Sequence, residues 1–247
     1  MFRNGYHKTG IKALDDDAFK KAFKNFVSKD FSYRENFLQK HFKKSIDGYS
    51  YLGQEDSLNQ YDFDQLHSFV LSRFNNLDDF PDEFRPLLTE PWDKILGLVK
   101  NLERQVLEKI GDNEVVKFYE RHIGHMMSAN YYPAECCLGQ ERLSMHKDVS
   151  MFTVFPFGVD RDLEFLVNDS WESADALKEV IIFPGYLIER ISKGSIKAVE
   201  HRVRQPEGVI ERFSFAIFSI PIPDHRFVLD DKPSTTTEFM DEYLNLF

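Results

Sequence analysis

Two spacings of apolar residues divide the chain. Up to about residue 125 they recur every three or four positions, as on one face of an α-helix. Phe19, Ala22, Phe23 and Phe26 form such a stripe behind Asp15-Asp16-Asp17, whose carboxylates suit a helix N-terminus. After Pro91 the stripe is longer: Ile95, Leu96, Leu98, Val99, Leu102, Val106, Leu107 and Ile110, ending at Gly111, a residue suited to a left-handed helix end. The opposite face, with Lys100, Glu103, Arg104 and Glu108, reads as solvated surface. Between the two helices, Asp47 to Asn76 is rich in Gly, Asn and Asp and reads as loop.

From about residue 126 the period shortens. Runs rich in β-branched and aromatic side chains predict strands at Met151–Phe155, Leu163–Val167, Glu179–Phe183, Tyr186–Ile191, Ile196–His201 and Arg212–Ile220. Asn168-Asp169, Pro184-Gly185, Lys193-Gly194 and Pro206-Glu207-Gly208 are the turns between them. Many short strands imply an antiparallel sandwich or barrel. Thr235 to Phe247 returns to the helical spacing, with Phe239, Met240, Tyr243, Leu244 and Phe247 on one side. With no repeat or linker, the expectation is one α+β domain over residues 1–247, mainly β at its core. A helical flank (1–125) precedes the core (126–225), and a tail and helix (226–247) follow it.

Charge narrows the function. The net charge is −10 and no basic tract interrupts it, so phosphate neutralisation is excluded and no nucleic-acid partner is expected. No run approaches the roughly 20 apolar residues of a membrane span, and the first residues lack an apolar signal core. A cytoplasmic monomer acting on a small molecule is the expectation. Cys136 and Cys137 are adjacent and read as reduced thiols. The 24 Phe belong to the core first.

Among eight histidines, His7, His41, His67 and His225 stand alone. His122-Ile123-Gly124-His125 spells a nucleotide-binding tetrapeptide of aminoacyl-tRNA synthetases, yet it follows a helix and enters an antiparallel region, the wrong setting for that chemistry. His146-Lys147-Asp148 is different. On a strand, positions two apart share a face, so one imidazole and one carboxylate converge. His201, in the run Ile196 to Val203, can supply a third ligand. Two His and one carboxylate with open positions suit a non-haem Fe(II) oxygenase. Arg212-Phe213-Ser214 adds a guanidinium and a hydroxyl, again two apart, able to hold a carboxylate.

The ordered set resembles the isopenicillin-N-synthase-like branch of the Fe(II)- and 2-oxoglutarate-dependent dioxygenases. Asn130-Tyr131-Tyr132-Pro133 is similar to that family's N-Y-Y-P segment, and Arg142 to Thr153 resembles its H-T-D-x-G-x-L-T strand. Gly194 to Val203 is similar to its G-x-Y-K-S-V-x-H-R-V run. Phe80 to Arg85 and the helix after Pro91 resemble its helical segment, and His7 to Ile11 lies where the family has a strand. The resemblance implies a double-stranded β-helix (jelly roll) flanked by helices. Its iron ligands would be His146, Asp148 and His201, and its co-substrates 2-oxoglutarate and O2. Arg212, Ser214, Tyr132 and Asn130 would serve 2-oxoglutarate, and the reaction would be oxidation of a small molecule of specialised metabolism.

Arg142 is a candidate partner for a substrate carboxylate. Three departures stand out: Lys147 replaces the usual Thr, Ser150 a common Gly, and Tyr186 a frequent Asp. Lys147 is expected to point away from the metal. The family's opening strand and first helix are expected to have no counterpart here, leaving the mouth to the Asp47–Asn76 loop. Two rivals are a 2-oxoglutarate-independent oxidase of the same fold and a catalytically silent jelly roll.

Overall fold

The Asp16–Phe26 stripe and the helix after Pro91 need a surface to bury against, and a large antiparallel sheet supplies it. The computed structural model describes residue 2 and residues 5–54, 64–134, 141–205 and 208–246. Its first half holds β1 (His7–Lys12), α1 (Asp17–Val27), α2 (Phe31–Arg34), β2 (Gly48–Ser50), β3 (His67–Ser72), α3 (Glu90–Ile110) and α4 (Asn113–His122). The core follows with β4 (Ile123–Tyr132), β5 (Leu143–His146), β6 (Phe152–Phe155), β7 (Leu163–Val167), β8 (Ser170–Ser173) and β9 (Glu179–Pro184). It continues through α5 (Tyr186–Ile191), β10 (His201–Val203) and β11 (Arg212–Pro221), and closes with β12 (Arg226–Leu229), β13 (Lys232–Thr235) and α6 (Thr236–Leu244).

Seven strands order as β1-β9-β6-β11-β4-β3-β2, and a smaller sheet runs β5-β10-β7-β8. Alternation along each strand divides the apolar residues between two cores. On β11, Phe215 and Ile217 join the helices, while Ala216 joins Tyr132, Phe155, Leu163, Phe165 and Phe183 between the sheets. On the helical side Phe26 is fully buried, its ring 5.0 Å from Tyr49, 5.2 Å from Phe69 and 5.6 Å from Phe84. Gly111 ends α3 with a left-handed φ of 69°. Among the described residues no helix is long and apolar enough to cross a membrane.

Four expectations need correction. Asp47–Asn76 is not a plain loop, since it contributes β2 and β3 to the large sheet. The apolar run Phe69-Val70-Leu71 is only three residues long and is outweighed in composition by the Asn- and Asp-rich flanks. Tyr186–Ile191 forms a helix: Leu187 and Ile188 are buried while Glu189 and Arg190 face outward, a helical and not a two-residue period. In Ile196–His201 the ladder begins only at His201, because earlier amides are taken elsewhere. Ile196 N–H donates to Ser192 Oγ and Ala198 N–H to Glu189 Oε2. Glu103, finally, is not solvated. It is fully buried, and its Oε2 accepts the Tyr119 hydroxyl at 2.6 Å and lies 2.8 Å from His125 Nε2, because α4 and β4 cover that turn of α3. Cys136 and Cys137 lie outside the described residues.

Candidate metal centre and co-substrate pocket

His146 closes β5 and His201 opens β10, and the two are direct cross-strand partners. Their rings sit 4.4 Å apart between centroids. The strand ends at His146, so Asp148 is brought in by a bend and not by alternation within a strand. That bend is held by the start of α5: Tyr186 N–H donates to Asp148 O at 2.7 Å and Leu187 N–H to Ser150 O at 3.0 Å. Gly185 permits the approach, since a Cβ there would stand 2.3 Å from Ser150 O and 2.8 Å from Asp148 O. Tyr186, the departure from the family's Asp, thus serves this bend through its backbone.

One donor atom from each of His146, Asp148 and His201 lies within 4.8 Å of the others. His146 Nε2 is 3.4 Å, and His201 Nε2 3.5 Å, from Asp148 Oδ1. The remaining atoms of the three groups are turned to partners that set their direction. His146 Nδ1 faces Ser144 O at 2.8 Å, so it carries the proton and leaves the Nε2 lone pair toward the cluster. His201 Nδ1 faces Val199 O at 3.4 Å. The Thr153 hydroxyl donates to Asp148 Oδ2 at 2.6 Å, so Ser150 Oγ–H must donate to Thr153 Oγ1, 2.8 Å away. Burial pushes His201 down to about 4, keeping its ring neutral near pH 7 and able to ligate. Burial alone would raise the Asp148 carboxyl, but His201, His146 and Thr153 hold it below the ordinary carboxylate range. Two imidazoles and one carboxylate on one face are a donor set that suits Fe(II) with positions left for other ligands. Lys147 reaches the other way, its Nζ 3.4 Å from Glu189 Oε2.

The three groups border a cavity of about 660 Å³ that also takes in Tyr132, Arg212, Ser214 and Asn130. Arg212 and Tyr132 are paired across β11 and β4, as are Ser214 and Asn130. Asp160 accepts both contacts of Arg212 Nε, at 3.0 and 2.8 Å. Arg212 Nη1 is buried with no hydrogen-bond partner among the described residues, and the buried Tyr132 hydroxyl lies beside the Ser214 hydroxyl. Burial pushes Tyr132 up to about 12, so its O–H stays a donor. A cation with an unused N–H and a hydroxyl donor beside it are the complement of a carboxylate, which fits one end of 2-oxoglutarate. A larger groove, about 1240 Å³, lies behind Lys147 and Val199 and holds none of the three clustered groups.

Arg142 does not line the cavity. It is 1% exposed, donates through Nη2 to Ile210 O, and lies against the Tyr132 ring, its Cζ 6.0 Å from the centroid. Sequence reasoning passed over two contacts at the site. Thr153 was visible only as the last residue of a motif, without a role. Tyr243 stood in the apolar stripe of the last helix; its hydroxyl donates to Lys147 O at 2.6 Å, between two of the clustered residues.

A jelly roll carrying this donor set and a buried guanidinium on one cavity defines the class, a non-haem iron oxygenase. Residues 123–221, from β4 to the end of β11, match the model of the 2OG-Fe(II) oxygenase superfamily. Solved structures share the fold. T7H of Neurospora crassa, in complex with alpha-KG, is 18% identical with a TM-score of 0.70, covering 97% of this chain and 85% of its own. The dioxygenase for auxin oxidation of rice is 15% identical with a TM-score of 0.70, covering 99% and 86%. JOX2, in complex with 2OG, Fe and JA, is 19% identical with a TM-score of 0.70, covering 98% and 79%. No curated protein matches the chain by sequence.

Proposed function

We propose that this protein is an Fe(II)- and 2-oxoglutarate-dependent dioxygenase that oxidises a small molecule, with His146, Asp148 and His201 as iron ligands. The observation that carries the reading is the shared cavity: the clustered donors and the unsatisfied Arg212 Nη1 open onto the same space. Bound iron, with 2-oxoglutarate and O2, supplies oxidative decarboxylation coupled to oxidation of the substrate. The chain's own part is to hold and to exclude. Ser144 fixes the tautomer of His146, and Thr153 turns Oδ1 of Asp148 inward. Arg212, with Tyr132 and Ser214, fixes the far carboxylate of the co-substrate, while Asp160 locks the guanidinium plane from behind. Phe155, Leu163, Val203 and Phe218 keep the walls apolar, so few waters compete. The 2OG-bound states of T7H and JOX2 support the same co-substrate.

The Asp160–Arg212 pair is the one feature that favours the 2-oxoglutarate-independent oxidase, since the cation already has a counter-charge. Succinate release decides. Purified protein with Fe(II), 2-oxoglutarate and O2 is expected to form succinate, and Asp148→Ala to bind no iron and form none. Iron binding and turnover in Asp148→Ala at wild-type level would end the assignment. The same reading expects a monomer in the cytoplasm serving specialised metabolism. Elution of the native protein at the mass of one chain checks its first part.

A further inference from the structure

Thr235 opens α6 with a capping box: its hydroxyl accepts Glu238 N–H at 3.2 Å, while the Glu238 carboxylate accepts Thr235 N–H at 2.7 Å. From that fixed start Phe239 and Tyr243, four positions apart, fall on one face of the helix. Phe239 is fully buried, its ring stacked on Tyr186 at 6.2 Å, and the Tyr243 ring lies 5.9 Å from the same tyrosine. On the outer side Arg190 of α5 donates to Glu242 of α6, to the Tyr186 hydroxyl and to Asp230 between β12 and β13. An aromatic contact and a charged one thus join α5 to α6.

Both helices grip the bend that carries Asp148, each through one backbone carbonyl. α5 does so with Tyr186 N–H on Asp148 O, and α6 with the Tyr243 hydroxyl on Lys147 O at 2.6 Å. Tyr243 borders the cavity beside the clustered donors. Burial and the Asp148 charge push its hydroxyl up, so it stays a donor. Lys147 O belongs to the planar peptide that ends at the Asp148 Cα, so holding that oxygen sets the direction from which the carboxylate departs. The Lys147 side chain takes no part, since Nζ turns to Glu189. Resting on the proposed function, we infer that Tyr243 is a positioning residue for the metal. Its hydroxyl holds the Lys147–Asp148 peptide so that Asp148 meets the two imidazoles, and it couples docking of α6 to metal occupancy. The bond exists only with α6 docked and the bend set. A metal that needs the bend therefore favours the docked helix, and the docked helix favours the metal by the same factor.

Tyr243→Phe keeps the ring and deletes the hydroxyl. Anaerobic Fe(II) titration of the full chain is expected to show about fivefold weaker binding in the variant, the scale of one neutral hydrogen bond. Metal-free melting curves confirm that both proteins are folded. Hydrogen exchange of the α6 amides, with and without Fe(II), separates positioning from plain stability. In the wild-type chain saturating Fe(II) is expected to slow that exchange severalfold, and in Tyr243→Phe to leave it unchanged. A tyrosine that merely braces the fold would give exchange indifferent to metal in both proteins. Undiminished Fe(II) affinity in Tyr243→Phe, or wild-type α6 exchange that ignores Fe(II), would overturn the inference; the second result needs no variant. A wild-type chain that binds no Fe(II) fails earlier in the same titration and overturns the proposed function together with the inference.

Discussion

Thr153→Val removes one hydroxyl and preserves the side-chain outline. Thr153 is fully buried, and its hydroxyl makes the 2.6 Å hydrogen bond to Asp148 Oδ2, the oxygen not aimed at the two histidines. A hydrogen bond to an ionised, buried acceptor contributes about 1.5–3 kcal/mol. At about 1.4 kcal/mol per factor of ten, metal binding should weaken roughly 10- to 100-fold. The direction with pH follows. Thr153 helps to hold the Asp148 carboxyl low, so without it the carboxyl protonates at higher pH, and metal occupancy at fixed metal is lost earlier as pH falls. Anaerobic Fe(II) titration of both proteins between pH 5.5 and 8, as an experimental range of about 2.5 units, reads both effects. Metal-free melting curves confirm that both proteins are folded. An unchanged affinity and pH profile would mean that Thr153 does not orient Asp148, and the assignment of Oδ1 as a metal ligand would fail with it.

Arg212→Ala deletes the one cationic side chain among the described residues that line the cavity, a loss of about 2–4 kcal/mol for a co-substrate carboxylate, so KM for 2-oxoglutarate should rise some 30- to 1000-fold in a succinate assay. An unchanged KM would favour the 2-oxoglutarate-independent oxidase. Lys147→Thr should leave Fe(II) affinity within about twofold, since Nζ turns to Glu189 and away from the clustered donors; a large loss in the metal titration would refute that orientation. Asp47 is fully buried and its carboxyl is pushed up to about 7 by burial, despite hydrogen bonds from Ser72 and Asn75. The folded chain therefore holds a proton that the unfolded chain has lost, and stability falls as pH rises from about 4 to about 7. Asp47→Asn accepts the same two bonds without a charge and should flatten the melting temperature across that window; an unaltered slope would refute the assignment.

What could be read from the chain without its fold follows from how locally each feature is determined. Phe19, Ala22, Phe23 and Phe26 are one turn apart, so their helix and its buried face were legible, as was the α3 stripe with its Gly111 stop. An antiparallel sandwich or barrel was legible through many short strands, and the jelly roll and the match to an oxygenase family model through the resemblance of the ordered motifs. The errors lie where a distant group decides a local state. Ala198 and Ile196 look like strand residues, but their N–H groups are captured by Glu189 and Ser192, a competition invisible in a window of β-branched residues. Glu103 looks like surface because the residues that cover it, Tyr119 and His125, arrive from the next helix and strand.

The same reasoning separates the two halves of the site. His146, Asp148 and His201 come together although Asp148 lies beyond the end of β5, so alternation was a sound guide to the neighbours and a poor account of the cause. The cause is Gly185: without a Cβ it lets the start of α5 bond the carbonyls of Asp148 and Ser150, and that backbone clamp turns the carboxylate toward the two rings. A side chain at 185 would collide with both carbonyls. Gly185→Ala should therefore lose metal affinity more steeply than Lys147→Thr in the same Fe(II) titration, although neither changes a donor atom.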